Sequence, residues 1–222
     1  MHNLAIWFLI FLIYSFFGWV MEVINGLIVH RRFVNRGFLI GPICPIYGTG
    51  ALAITFCLGS IQNPLVIFFT SIILSAILEY TTSVLMERLF HVRWWDYSDR
   101  PFNLNGRICL EALIVFGIGG TLVTLIFSPA LYHILYGLPD VALYALALIF
   151  VVALLADAFL SLYLIKGFRV TVGIAAKDAT IEISERVHDL IMTKGKLSRR
   201  LLKAFPNQTP APRRPRAKTR QK

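Results

Sequence analysis

Charged residues are scarce in most of this 222-residue chain, and its first 165 residues contain no lysine. That stretch holds seven arginines and eight acidic residues, whereas residues 166–222 hold fifteen basic and four acidic residues. The formal net charge of +10 is therefore a property of the C-terminal segment alone. A charge excess confined to one end does not indicate a nucleic-acid-binding surface, so we expect no nucleic-acid partner.

Cysteine, histidine and nucleotide-binding motifs are also sparse. The three cysteines show no CxxC spacing and the five histidines are scattered, so we expect no disulfide, no metal site and no cofactor. The chain has no GxxxxGK[ST] sequence and cannot itself supply an ATPase. It also lacks an HExxH motif and a serine–histidine pair on one predicted helix face, so no catalytic residue is indicated.

What the chain has in abundance is apolar residues, which make up 57% of it. A soluble domain contains about 45–50%. A helix needs about 20 apolar residues to cross the hydrocarbon core of a bilayer. We therefore predict an all-α, polytopic membrane protein whose membrane domain comprises residues 1–166. About five transmembrane helices are expected in it, near residues 4–28, 43–60, 64–90, 108–128 and 140–166.

The second of these segments is unusual because it opens with GPICPIYGTG, residues 41–50. Two prolines and three glycines in ten residues disfavour a regular helix. A bent or broken helix is tolerated inside a membrane only where protein or a wet cavity covers the freed backbone groups. The sequence leaves open whether this segment is a full span or a broken helix.

The arginines of the connecting loops predict the orientation. Arginines occur in the loops after the first and third segments, whereas the N-terminus and the loops after the second and fourth have neither arginine nor lysine. Because basic loops stay on the cytoplasmic side, we expect the N-terminus outside and the C-terminus in the cytoplasm of a cell (plasma) membrane protein.

The C-terminal segment divides in two by composition. Residues 167–205 contain a broken apolar face and are expected to form a cytoplasmic amphipathic helix. Residues 206–222 are rich in proline and arginine and contain no acidic residue, so we expect them to be disordered. Anionic lipid headgroups are the expected partner of this basic tail, although a solvated tail that only satisfies the positive-inside bias remains an alternative.

Polar residues recur at every fourth position of the third segment. This polar ridge consists of Ser71, Ser75, Glu79, Ser83 and Glu87. Positions spaced by four drift about 40° per step on a 3.6-residue helix, so the ridge follows one flank. Carboxylates inside a membrane are costly and usually face the bundle interior. We therefore expect the ridge to face other helices and not lipid.

The predicted orientation places all the intramembrane carboxylates in the cytoplasmic half, together with the loop arginines. The carboxylates are Glu22, Glu79, Glu87, Glu111 and Asp157. The pattern predicts a polar vestibule that opens to the cytoplasm and is roofed by apolar helix halves. An alternative left open by the sequence is that Glu87 and Glu111 only reach interfacial water.

The loop RWWDYSDRPFNLNGR, residues 93–107, is the densest polar and aromatic stretch. Trp94 and Trp95 are suited to anchor it at the membrane interface. We expect Arg107 and Arg36 to face the buried carboxylates of the first and third helices, Glu22 and Glu79, because an arginine that donates two hydrogen bonds keeps a carboxylate charged.

A simpler interpretation of this loop also stands. Its two aspartates can pair with its own arginines, and Asn105 or Gly106 can cap the fourth helix. The loop is then an interfacial belt with surplus charge.

Four blocks of the sequence carry a resemblance to a known family. These blocks are FFGWVMEV (16–23), FVNRGFLIGPICPIYGTGAL (33–52), EYTTSVLMERLF (79–90) and RWWDYSDRPFNLNGRICL (93–110). They are similar to the signature blocks of the bacterial family described as putative ABC-transporter type IV, or CmpB-like. The resemblance covers roughly residues 15–120. It implies a multi-pass permease component with a separate ATPase subunit as partner. Glu111, Asp157 and the basic tail lie outside the family pattern.

From the ridge, the loop and the resemblance together we predict one substrate-path or binding site. Its residues are Glu22, Arg36, Tyr47, Glu79, Ser83, Glu87, Trp94, Trp95, Asp96, Tyr97, Asn103 and Arg107.

Three functions remain open from the sequence. The first is a transport protein, either a permease component or a small carrier. The second is a membrane adaptor or sensor that acts through its tail. The third is a membrane enzyme acting on a lipid-linked substrate, with Glu79 and Glu87 as acid/base groups. Besides the lipid bilayer, a second copy of the chain is a candidate partner, because the small and polar helix faces favour association, and the sequence leaves the oligomeric state open.

Overall fold

The computed structural model describes residues 1–30, 38–90 and 95–175, with side chains through residues 1–28, 38–89 and 95–163. Within these residues, four helices are long and apolar enough to cross a membrane: His2–Ile28, Pro64–Leu89, Leu110–Tyr136 and Asp140–Tyr163. A fifth apolar helix, Pro45–Leu58, is shorter. The predicted all-α polytopic membrane fold is therefore confirmed.

The helices follow the apolar segments closely, with one exception. In chain order they are α1 (His2–His30), α2 (Pro45–Leu58), α3 (Pro64–Phe90), α4 (Leu110–Leu122), α5 (Ser128–Tyr136) and α6 (Asp140–Ala175). The fourth apolar helix continues past residue 128 to Tyr136, because a π-helical segment, Val123–Phe127, joins α4 to α5. Pro129 lacks an N–H and would clash with a carbonyl of the preceding regular turn, and the π segment accommodates it.

Hydrogen bonds near the N-terminus show which helix ends lie together. His2 Nδ1 and Asp140 Oδ1 are 2.8 Å apart, and the Tyr132 hydroxyl bonds Asn3 Oδ1 at 3.1 Å. The rings of Trp7 and Phe56 meet at 4.7 Å. The starts of α1 and α6 and the ends of α2 and α5 therefore share one end of the bundle, which we call the His2 end.

The second apolar segment is a broken membrane crossing. Its helix α2 begins only at Pro45, where the Cys44 N–H donates to the Ser15 carbonyl at 2.9 Å. With a rise of 1.5 Å per residue, Ser15 lies about 20 Å along α1 from the His2 end. The 14 residues of α2 cover about 21 Å of a core about 30 Å thick. Residues 38–44, which precede α2, contain no helix.

Glycines allow α1 and α2 to pack at close range. A Cβ on Gly18 would overlap the Tyr47 ring, and a Cβ on Gly48 would overlap the Phe11 carbonyl oxygen and the Ser15 hydroxyl. Beside this contact, Ile6, Ile10 and Leu143 form a fully buried core between α1 and α6. The outer faces of α3 and α6 carry exposed apolar side chains such as Phe69 and Phe159, which is the surface that a lipid environment requires.

Candidate functional site

The loop before α4 folds back as a hairpin. Its two short strands, Asn103–Leu104 and Ile108–Cys109, pair antiparallel. Between them, Asn105 and Gly106 adopt φ of 54° and 67°, which is the geometry an Asn-Gly turn favours. The interpretation of Asn105 or Gly106 as a helix cap is therefore wrong, and the fourth helix begins at Leu110.

Arg107 leaves this turn and inserts between polar residues of α3. Its Nη2 pairs with Glu87 Oε2 at 2.5 Å, and its Nη1 donates to Ser83 Oγ at 2.8 Å. The guanidinium carbon lies 5.7 Å from the centre of the Tyr80 ring. The expected pairing of Arg107 with Glu79 is not found, because Arg107 pairs with Glu87, about two turns further along the third helix.

Other residues of the loop hold Arg107 in place. Trp95 Nε1 donates to the Arg107 carbonyl at 2.9 Å, and the Tyr97 N–H donates to the Gly106 carbonyl at 2.7 Å. Asn103 Nδ2 donates to the Arg100 carbonyl at 2.7 Å. These contacts make the loop a scaffold for Arg107.

Asp96 stabilises a tight turn within the same loop. Its Oδ1 accepts bonds from both the N–H and the hydroxyl of Ser98, so the predicted site residue Asp96 has a local structural contact. Two other residues of the predicted site, Arg36 and Trp94, lie outside the described residues.

A carboxylate and a phenol meet where α2 begins. The Tyr47 hydroxyl donates to Glu22 Oε1 at 2.7 Å, which links the first turn of α2 to the half of α1 away from the His2 end. The N-terminus of a helix carries a partial positive charge and is favourable for a nearby carboxylate. The broken crossing thus places the start of α2 next to Glu22.

Glu79 is the most deeply buried carboxylate of the described residues, with 8% of its surface exposed. Its Oε2 has no hydrogen-bond partner among them. Glu22 lies close enough to interact with it electrostatically, and Leu78 packs near Gly50 of α2. Glu79 lies about 22 Å along α3 from its start, level with the first turns of α2. The structure thus brings Glu22, Tyr47 and Glu79 into one neighbourhood.

The polar ridge of α3 faces the bundle interior over most of its length. Ser71, Ser75, Glu79 and Ser83 are all buried, at 0–9% exposure. The expectation that the ridge faces other helices therefore agrees with the structure.

Asp157 holds the non-helical part of the broken crossing. Its two oxygens accept the N–H groups of Ile40 and Gly41 at 3.0 and 2.9 Å, and Ser161 accepts a second bond from Ile40 at 3.1 Å. A Cβ on Gly41 would meet Asp157 Oδ2 at 2.8 Å. Protein therefore covers the backbone groups that the break in the helix frees.

The half of the bundle near the His2 end is not the apolar roof that the sequence predicts. Ser128 Oγ lies 2.8 Å from the Tyr14 hydroxyl and 2.9 Å from Thr55 Oγ1. The buried hydroxyls of Ser71 and Thr124 lie in the same half and have no partner among the described residues. The four-residue spacing of Gly120, Thr124 and Ser128 was the signal that could have indicated this cluster.

Apolar helices that enclose carboxylates, an arginine and hydroxyls define a polytopic membrane protein with a polar interior. A family model described as Putative ABC-transporter type IV matches residues 9–162, and the chain belongs to this family. It is therefore a transport-related membrane protein, and the resemblance carried by the four sequence blocks is confirmed. No curated protein and no solved structure matches the chain.

Proposed function

We propose that this protein forms the membrane path of a transporter, with a solute-binding vestibule that opens to the cytoplasm beside Glu22, Glu79 and the Arg107 hairpin. In this proposal it lies in the plasma membrane with its N-terminus outside and its C-terminus in the cytoplasm. Because the chain lacks a nucleotide-binding motif, a separate ATPase subunit supplies the energy if transport is ATP-driven.

The observation that carries the proposal is the buried Glu79 carboxylate, with an unpartnered Oε2, at the depth where α2 begins. Transporters commonly bind their substrate near the bilayer midplane, where discontinuous helices expose half-helix termini. The break before Pro45 and the nearby Glu22 and Tyr47 reproduce that arrangement. An ionisable residue within a membrane marks a functional site by default.

The geometry gives less support to the other two functions. The membrane-enzyme hypothesis needs both Glu79 and Glu87 as acid/base groups, but Glu87 is ion-paired with Arg107. An adaptor acting through the tail depends on residues 167–222, most of which lie outside the described part of the chain.

Loss of the Glu79 carboxylate is expected to abolish transport and leave the amount of inserted protein unchanged. Cells lacking the gene would be complemented with the wild type, Glu79→Gln or Glu111→Gln, and intracellular solutes would be profiled by mass spectrometry. Glu111 is the matched control because it is an exposed glutamate that pairs with Arg100 at the surface. A solute whose level follows the wild type and Glu111→Gln, but not Glu79→Gln, supports the proposal. Identical profiles in all strains contradict it.

The orientation and the vestibule opening are tested by thiol labelling. In a chain whose native cysteines are replaced by alanine, Tyr136→Cys should react with an impermeant reagent on intact cells. Asn105→Cys, on the exposed hairpin turn, should react only in inside-out membrane vesicles. Both side chains are exposed, so burial does not bias the comparison. The reverse labelling pattern would refute the cytoplasmic vestibule.

A further inference from the structure

Buried polar side chains line the bundle interior over most of its length. Along α3, the ridge from Ser71 to Glu87 covers about 24 Å at 1.5 Å per residue. Arg107 and Glu87 lie near one end of this line, and the hydroxyls near Ser71 lie near the other. A bilayer core is about 30 Å thick, so the ridge covers most of that depth.

The outer part of this line is a group of five hydroxyls from four helices, which we call the hydroxyl cluster: Tyr14, Thr55, Ser71, Thr124 and Ser128. Thr55 donates to the Ala51 carbonyl at 2.8 Å, so it accepts from Ser128, and Ser128 in turn accepts from Tyr14. Three hydroxyls thus form a directed hydrogen-bond chain.

The other two members of the hydroxyl cluster have unused hydrogen-bonding capacity. Ser71 is fully buried and Thr124 is 5% exposed, yet neither hydroxyl oxygen has a partner among the described residues. A Cβ on Gly120, one turn before Thr124, would contact the Ser71 hydroxyl, so α3 and α4 approach each other closely at this point. Burying a hydroxyl without a bond costs about 1–3 kcal/mol, and such groups commonly bind water.

We propose that protons cross the bilayer through this protein, taken up at Glu79 from the cytoplasmic side and passed along Ser75 and the hydroxyl cluster to the His2 end. In each transfer a hydroxyl or water oxygen accepts one proton and releases its own to the next acceptor. No oxidant or other reactant is consumed. This inference rests on the proposed transport function, because both place Glu79 in the path.

The chemistry around Glu79 suits a proton better than an anion. A second carboxylate, Glu22, acts on it electrostatically, while the Arg107 guanidinium is engaged by Glu87 and Ser83. Further titratable groups of the described residues at this level are Tyr47 on α2, Cys44 just before α2 and Tyr97 in the loop. A carboxyl group buried among apolar helices changes its charge by binding or releasing a proton.

Proton flux is measured with the purified full-length protein in sealed phospholipid vesicles that contain a pH-sensitive dye. A potassium gradient with valinomycin sets the membrane potential, and no solute is added. The wild type should acidify the vesicle interior faster than protein-free vesicles do. Glu79→Gln should return the rate to that of protein-free vesicles. Ser128→Ala should lower it about tenfold, which corresponds to about 1.4 kcal/mol on the barrier.

Matched controls separate loss of the path from loss of the fold. Thr81→Ala removes an exposed hydroxyl of the same helix α3, and Glu111→Gln removes an exposed carboxylate, so both should retain the wild-type rate. The infrared difference spectrum between acidic and alkaline buffer should contain a protonated-carboxyl band that Glu79→Gln removes. A wild-type rate equal to that of protein-free vesicles, or an unchanged rate in Glu79→Gln, overturns the proposal.

The two proposals fail in distinguishable ways. If Glu79→Gln changes the cellular solute profile but the wild type moves no protons, the transport function stands and the proton path is wrong. If the proton flux depends on Glu79 but the solute profile does not, the proton path stands and the solute vestibule is wrong. Uptake of radioactive sodium in place of protons, dependent on Glu79, would also overturn the proton assignment.

Discussion

Replacing Arg107 by glutamine is expected to lower the free energy of unfolding by about 3 kcal/mol, because the change removes the guanidinium that pairs with the largely buried Glu87 carboxylate. The Arg107 and Glu87 side chains are 12% and 20% exposed, so water compensates little for the lost pair. The change also removes the bond to Ser83 and the guanidinium beside Tyr80. Denaturant unfolding of the purified protein in mixed micelles measures the loss.

A double-mutant cycle isolates this pair from general damage. Arg107→Gln combined with Glu87→Gln should be no less stable than Arg107→Gln alone, because the uncompensated charge is gone. Arg100→Gln is the matched control, since Arg100 and its partner Glu111 are 53% and 66% exposed, and it should cost about 0–1 kcal/mol. Strictly additive losses in the cycle would show that the two charges do not interact.

Gly48→Ala is expected to destabilise the protein by about 3 kcal/mol, although it adds a single methyl group. The new Cβ would overlap the Phe11 backbone carbonyl oxygen, and backbone in the middle of α1 cannot move aside as a flexible side chain can. Overpacking of this kind costs about 1–3 kcal/mol and occasionally more. The measurement is the apparent melting temperature of the purified protein, together with its elution profile in detergent.

Gly119→Ala is the matched control, and it is not expected to lower the stability of the protein. A Cβ at Gly119 meets nothing within 4 Å, and alanine is favoured over glycine inside a helix by about 1 kcal/mol. This variant should be as stable as the wild type or more so. Equal losses for Gly48→Ala and Gly119→Ala would indicate that helix flexibility, and not the contact between α1 and α2, explains both.

The sequence predicted the elements whose signal is local. Apolar length gave the long spans, and the four-residue spacing indicated the buried ridge from Ser71 to Glu87. The prolines and glycines before α2 disfavoured a regular helix there, because they act on the backbone where they occur, but they left open whether the segment is a full span or a broken helix. Charge burial predicted a guanidinium beside Glu79, but the structure places Arg107 beside Glu87.

The sequence could not predict which residue each polar side chain contacts, because these contacts depend on how distant segments of the chain align. Arg107 meets Glu87 because the Asn-Gly turn sets the reach of the hairpin, and the turn signal was interpreted as a helix cap. Tyr14, Thr55 and Ser128 are separated by many residues, and a single hydroxyl in an apolar helix carries little signal by itself. Their cluster emerges only from the packing of α1, α2 and α5.

The attachment of residues 38–44 to Asp157 imposes an order on biosynthesis. The N–H of Ile40 bonds a carboxylate 117 residues further along the chain. At about 5–20 residues per second, a ribosome needs roughly 6–23 s to make that distance. During this interval the exposed backbone groups cannot rest in lipid, so the broken crossing has to remain in water or in the insertion machinery. The second apolar segment therefore reaches its folded arrangement only after α6 has supplied Asp157.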